Sequence, residues 1–175
     1  MEDFQLDLME ISIKDVLKEF IDKVQIIAEK KNISLTLKMT KDDIVCLIDV
    51  NRFLEILENL IANSFKFTKE GGFINVKLSR IKNTDISNSD PVSYAMIDVR
   101  DNGIGIPENK IPTLFDRFTE AGRNGISGEL SSGLGLSIVK RLVEMHNGRI
   151  SVESKEEKGT TFKILIPIVI STIRW

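Results

Sequence analysis

The sequence predicts an α/β two-layer sandwich in which a mixed sheet packs against about three helices. Two kinds of periodicity carry that expectation. Segments 32–39 (NISLTLKM), 73–81 (FINVKLSRI) and 93–100 (SYAMIDVR) alternate apolar and polar residues, as half-buried strands do. The segment from about 13 to 31, the one between Asp49 and Gly71, and GLGLSIVKRLVEMH (133–146) instead repeat apolar residues at steps of three and four, the period of a helix with one buried face. Helical and strand segments are interleaved without an interdomain linker, so residues 1–175 read as one domain.

Each element has a local reason. Ser12 and Asp15 have capping-box spacing ahead of the first helix, whose stripe is Leu17, Phe20, Ile21, Val24 and Ala28. IVCLI (44–48) is a short second strand, and Asp49 is placed to cap the helix after it. The pair Gly71–Gly72 ends that helical segment. Strands 73–81 and 93–100, joined by a polar tract, are expected to form a long-loop hairpin. Residues 119–132 are glycine-rich and short of large apolar side chains, so a loop is expected before the third helix. GRISVES and GTTFKILIPI close the chain as a last hairpin.

Composition bounds the function. Hydrophobic content of 42% and charged content of 29% are ordinary for a globular protein, and a net charge of −2 offers no basic field for nucleic acid. One cysteine, Cys46, excludes a disulfide framework, and one cysteine with one histidine makes no zinc site. No apolar run approaches the roughly 20 residues that span a bilayer. A cytoplasmic chain with no membrane segment is expected, although a parent protein could be membrane-anchored.

Three stretches carry chemistry. Around ENLIANSFKFT (58–68), Phe53, Leu57, Leu60, Ile61 and Phe65 make one apolar face, while Glu55, Asn59, Asn63 and Lys66 line up on another. A carboxamide oxygen is a neutral ligand suited to magnesium that already carries phosphate and water, and an ammonium suits phosphate. DNGIGIP (101–107) sets a strand-end carboxylate, Asp101, before Gly103 and Gly105; the alternative reading is an ordinary turn. GLGLSIVK (133–140) puts two glycines where a loop enters a helix, a place that favours phosphate but also suits a simple hinge; Walker spacing is absent.

In this order the stretches resemble the catalytic, ATP-binding domain of sensor histidine kinases of two-component systems, within the superfamily of gyrase-type and mismatch-repair ATPases. ENLIANSFKFT is similar to the N box, DNGIGIP to the G1 box, FDRF (115–118) to the F box and GLGLSIVK to the G2 box. The resemblance implies the Bergerat-type ATP-binding fold with ATP and Mg2+ as cofactors. It makes Asn63 the magnesium ligand and assigns phosphoryl-transfer chemistry to Asn59, Asn63, Lys66 and Arg123. Asp101 would accept the adenine amine, with Phe67 stacking beside the base and Gly103, Gly105, Ile106 and Phe118 around it. Gly133, Leu134, Gly135 and Leu136 would bracket the triphosphate, Thr160 or Thr161 would join the network under Asp101, and residues 119–132 would form the ATP lid.

The implied function is donation of the ATP γ-phosphate to a histidine on a separate dimerisation domain, with a response regulator downstream. His146, the one histidine here, is expected to play a helix-terminal role, so the acceptor domain lies elsewhere and the chain reads as an excised domain. Gyrase-type hydrolases carry a general-base glutamate where this chain has Asn59, which favours the kinase over an ATP-hydrolysing clamp. Glu55 and Glu58 keep the clamp open as an alternative, and a non-catalytic nucleotide-binding scaffold is the third reading.

Overall fold

A computed structural model describes residues 5–82, 93–116 and 134–169. The expected lid (119–132), Phe118, Arg123 and Gly133 lie outside the described residues. In chain order the elements are β1 (Met9–Ser12), α1 (Ile13–Lys30), β2 (Ser34–Met39), β3 (Val45–Ile48) and α2 (Val50–Phe67). They continue with β4 (Phe73–Lys82), β5 (Ser93–Asp101), a short 3-10 turn, α3 (Gly135–Met145), β6 (Arg149–Lys155) and β7 (Gly159–Pro167).

The main sheet has the order β2-β4-β5-β7-β6. Strands β2 and β4 run parallel, and the pairs β4–β5, β5–β7 and β6–β7 are antiparallel, so the sheet is mixed and both expected hairpins form. Because strand side chains alternate, one register row carries Val76, Val99, Phe162 and Val152 onto a single face. Ile74, Leu78, Ala95, Ile97, Ile164 and Ile166 bury on that face, against the apolar stripes of the helices.

The architecture departs from one sheet in a single respect. Strands β1 and β3, four residues each, pair with one another in a separate ribbon. Each runs directly into a helix at its capping residue, Ser12 or Asp49, which leaves no length for joining the large sheet. The link is made by the chain after β7: Cys46 bridges Ile168, and the Val169 N–H donates to the Val45 carbonyl at 2.8 Å. Cys46 is wholly buried there and its thiol is pushed up to about 12 by burial, which suits core packing and not nucleophilic chemistry.

The N-cap bond forms at both α1 and α2, which at Ser12 is one half of the expected capping box. The Ser12 hydroxyl accepts the Asp15 N–H at 3.4 Å, and the Asp49 carboxylate accepts the Arg52 N–H at 3.1 Å. Phe53, Ile56, Leu57, Leu60 and Ile61 are buried along α2, each contributing roughly 1.5–3 kcal/mol by leaving water. That buried stripe turns Asn59, Asn63 and Lys66 to the half-exposed side.

Candidate functional site

Helix α2 is the wall on which the site is built, and three of its levels each touch a different segment. At the first level the Asn59 Nδ2 donates to the Glu55 carbonyl at 2.8 Å. Its Oδ1 lies 2.7 Å from where a Cβ on Gly135 would sit, so α3 begins hard against Asn59 only because residue 135 has no side chain. At the next level the Ser64 hydroxyl donates to Asp101 Oδ2 at 3.2 Å. At the last, the Phe67 carbonyl accepts the Ile104 N–H at 3.0 Å.

Asp101 ends β5 with 4% of its surface exposed. Its Oδ1 accepts two backbone N–H groups, Gly103 at 2.9 Å and Thr160 at 3.3 Å. Burial raises the carboxyl above its ordinary range, while the bonds from Gly103, Thr160 and Ser64 pull it back down. An ionised carboxylate oxygen has about two acceptor positions. Both are used on Oδ1, and Oδ2 retains one beside the Ser64 bond. Such a group is suited to receive an N–H from outside the chain.

The glycines of the turn after β5 are accounted for by backbone packing. A Cβ on Gly103 would lie 2.2 Å from the Phe67 carbonyl oxygen. Gly105 has φ +67°, and a Cβ there would lie 2.0 Å from the Lys155 carbonyl oxygen. The turn is thus wedged between α2 and the β6–β7 hairpin, which fixes where Asp101 points. Ile106, half-buried against the core, donates its N–H to Ser154 Oγ at 2.9 Å.

Of the two candidate threonines, Thr160 is the one beneath Asp101; its hydroxyl meets Ser154 Oγ at 2.9 Å. Thr161 is one residue along and therefore projects from the opposite face of β7, in register with Arg100 and Glu153. Lys66 and Phe67 lie together at the end of α2, the ammonium 5.6 Å from the ring centroid. Leu134 and Leu136 flank Gly135 at the start of α3, with Leu136 packed on the core.

That start is unlike the other helix beginnings. Ser12 caps α1 and Asp49 caps α2, whereas the N-cap position of α3 is Leu134, which offers no side-chain cap. The Ser137 hydroxyl turns back to the Leu134 carbonyl at 2.8 Å, so among the described residues no side chain caps the first N–H groups of α3. Uncapped N–H groups at the positive end of a helix are suited to an anion. The described residues hold no group of three or more His, Cys, Asp or Glu side chains that could hold a metal ion. A cation here would therefore take its other oxygens from substrate phosphates and water, with the Asn63 carboxamide as the neutral protein donor, a set that fits magnesium.

Two carboxylates keep the hydrolase reading open, Glu55 and Glu58. Glu55 pairs with Arg52 at 2.9 Å, and Glu58 is exposed. His146 is 2% exposed and both ring nitrogens are bonded, Nδ1 to the Leu142 carbonyl at 2.7 Å and Nε2 to the Asp49 N–H at 3.1 Å.

Two functional groups escape the sequence reading: Ser64 and Ser154, which hold Asp101 and the turn after it. Ser64 leaves a signal, because it is a small polar residue on the otherwise apolar stripe of α2, one turn past Leu60. Ser154 leaves none in the sequence, since alternating polar residues surround it in SVESK.

Among the described residues, no helix is long and apolar enough to cross a membrane. The chain is 37% identical over 142 residues to the sensor histidine kinase TmoS of Ectopseudomonas mendocina, covering 81% of this chain and 14% of that protein. It is 35% identical over 167 residues to the sensor histidine kinase YclK of Bacillus subtilis (strain 168), covering 94% of this chain and 32% of that protein. The chain thus spans a third or less of the length of these relatives. Its fold is similar to that of full-length ShkA solved in complex with AMPPNP, with TM-score 0.76 and 24% identity over 96% of this chain and 32% of that one. Residues 48–170 match the family described as histidine kinase-, DNA gyrase B-, and HSP90-like ATPase. The stretch so matched runs from the last residue of β3 past the end of β7 and holds every described residue of the site, and the chain belongs to that family, with sensor histidine kinases as its relatives.

Proposed function

We propose that this chain binds magnesium-ATP against α2 and donates the γ-phosphoryl group to a histidine on a separate dimerisation domain of its parent kinase. The observation that carries the reading is that two polar features unmet among the described residues both lie against α2: the open acceptor position of buried Asp101, at Ser64, and the uncapped start of α3, at Asn59. The first suits the exocyclic amine of adenine and the second suits phosphate. Phe67 flanks the base, Lys66 meets a phosphate oxygen, and Thr160 with Ser154 holds the polar floor under Asp101. Magnesium, when bound, neutralises phosphate charge, and Asn63 is its protein ligand. The arriving imidazole nitrogen attacks the γ-phosphorus, the bond from that phosphorus to the β–γ bridging oxygen breaks, and ADP leaves with the electron pair. Asn59 supplies no base at the level where a hydrolase needs one, and Glu55 is held by Arg52, so water is left unactivated and the phosphoryl group is kept for the protein acceptor. A response regulator would receive it next.

Calorimetric titration tests the binding half. An AMPPNP–magnesium complex should bind at one site, and a guanine analogue should bind at least about tenfold more weakly, because its 6-oxo group meets the Asp101 carboxylate with a lone pair instead of an N–H. Asn63→Ala should weaken binding in magnesium and leave binding in excess EDTA unchanged. Equal loss in both media would remove Asn63 from the metal.

A further inference from the structure

We infer that His146 is a positioning residue for the nucleotide site: it completes the cap of α2 from the end of α3 and so sets the register of one helix on the other. The inference takes its functional readout from the nucleotide reading above. A capping box has two halves, in which the N-cap side chain accepts the N–H of the third helical residue and that residue's side chain accepts the N–H of the N-cap. Asp49 makes the first half with Arg52. Arg52 cannot make the second, since a guanidinium only donates. The Asp49 N–H therefore needs another acceptor, and His146 Nε2 supplies it at 3.1 Å. A carbonyl only accepts, so the 2.7 Å contact from Nδ1 to the Leu142 carbonyl places the ring proton on Nδ1 and the lone pair on Nε2. The ring is neutral in one tautomer and is further held edge-on to Phe53, with centroids 6.4 Å apart.

The geometry makes this more than a cap. Helices α2 and α3 lie antiparallel, with His146 at Asp49 and Gly135 at Asn59. At the rise of a helix, Asp49 to Asn59 spans about 15 Å and Gly135 to His146 about 16 Å, so the two contacts match as rungs about three turns apart. Sliding α3 along α2 would break the imidazole bond at one end and drive Gly135 into the Asn59 carboxamide, or away from it, at the other. The uncapped start of α3 and the Asn59–Asn63 face are thereby held at one fixed offset by a residue that touches neither.

Three variants separate capping from positioning. His146→Asn keeps a donor for the Leu142 carbonyl and removes Nε2. Arg52→Gln puts an acceptor at the third helical position and completes the box within α2. The double variant has the cap without the cross-helix bond, and Arg52→Gln alone is its reference. His146→Asn should lower the melting temperature, weaken AMPPNP–magnesium binding by about threefold to tenfold, and shift the NMR signals of the Gly135 amide and the Asn59 carboxamide in nucleotide-free protein. The double variant should recover the melt but neither the affinity nor the two signals. Recovery of all three would make His146 a cap and nothing further. Unshifted Gly135 and Asn59 signals in His146→Asn would overturn the register argument whatever the nucleotide does. A wild-type chain that fails to bind nucleotide would overturn the functional reading instead, and the signals would still judge the register.

Discussion

The Asp101→Asn chain is expected to bind adenine nucleotide at least about tenfold more weakly than the wild type while melting no lower. The two effects separate because the carboxylate does two jobs. The bonds to Oδ1 from the Gly103 and Thr160 N–H groups survive with an asparagine carbonyl in its place. At the Oδ2 position an amide N–H₂ now meets Ser64, which can turn its hydroxyl to accept, and it faces the adenine amine donor to donor. Binding therefore loses an acceptor and gains a repulsion. Stability moves the other way, since burial raises the Asp101 carboxyl above its ordinary value of 3.8. A raised carboxyl contributes most to stability below its unfolded value and loses that contribution as pH rises through the folded one. The melting temperature of the variant minus that of the wild type should accordingly grow as pH rises from below 3.8 toward neutrality. Melts across that range, with titrations at neutral pH, check both halves. Unchanged affinity would remove Asp101 from base recognition, and a difference that shrinks with rising pH would show the carboxylate to be net stabilising.

Gly103→Ala should be strongly destabilising through steric overlap alone, since its backbone is not in the left-handed region. The added Cβ would meet the Phe67 carbonyl oxygen at 2.2 Å and Asp101 Oδ1 at 3.0 Å. The first of these neighbours is helix backbone and the second is held by two N–H donors, so neither can swing aside. A cost of about 3 kcal/mol, at the upper end for overpacking, corresponds to a fall of roughly 6–12 °C in melting temperature for a chain of this size. Gly71→Ala is the matched control: its φ is +79°, but a Cβ there has nothing within 4 Å. Only the left-handed backbone opposes it, at about 1 kcal/mol. A larger fall for Gly71→Ala than for Gly103→Ala would contradict the wedged turn.

Much of this was legible in the chain because it depends on short-range pattern. The stripe of α2 and the alternation of β4, β5 and β7 follow from residues within a few positions of each other, and Ser12 and Asp49 mark their helix starts locally. The separate β1–β3 ribbon was not legible, because four-residue strands carry no sign of their partner. The site divides the same way. Asn59, Asn63 and Lys66 announce themselves as polar residues out of place on one helix face, and Asp101 by its glycines. The reason for those glycines was hidden, since the Phe67 and Lys155 carbonyls that forbid a side chain come from distant segments. Thr160 and Thr161 are indistinguishable in sequence until the register of β7 on β5 sets Thr160 opposite Asp101. The trans cap at Asp49 joins residues 97 positions apart and could be read only in three dimensions.

The most direct test of the central claim is to incubate the chain with γ-labelled ATP and magnesium, alone and together with the histidine-bearing dimerisation domain of its parent kinase. Alone, it should neither label itself nor turn ATP over steadily, because its one histidine, His146, is buried with both nitrogens bonded and an unpositioned acceptor reacts very slowly. With the added domain, label should accumulate there as acid-labile phosphohistidine, and Asp101→Asn should slow the transfer at subsaturating ATP. Steady phosphate release by the chain alone, with no label on the added domain, would contradict the account and assign the site to an ATP-hydrolysing clamp.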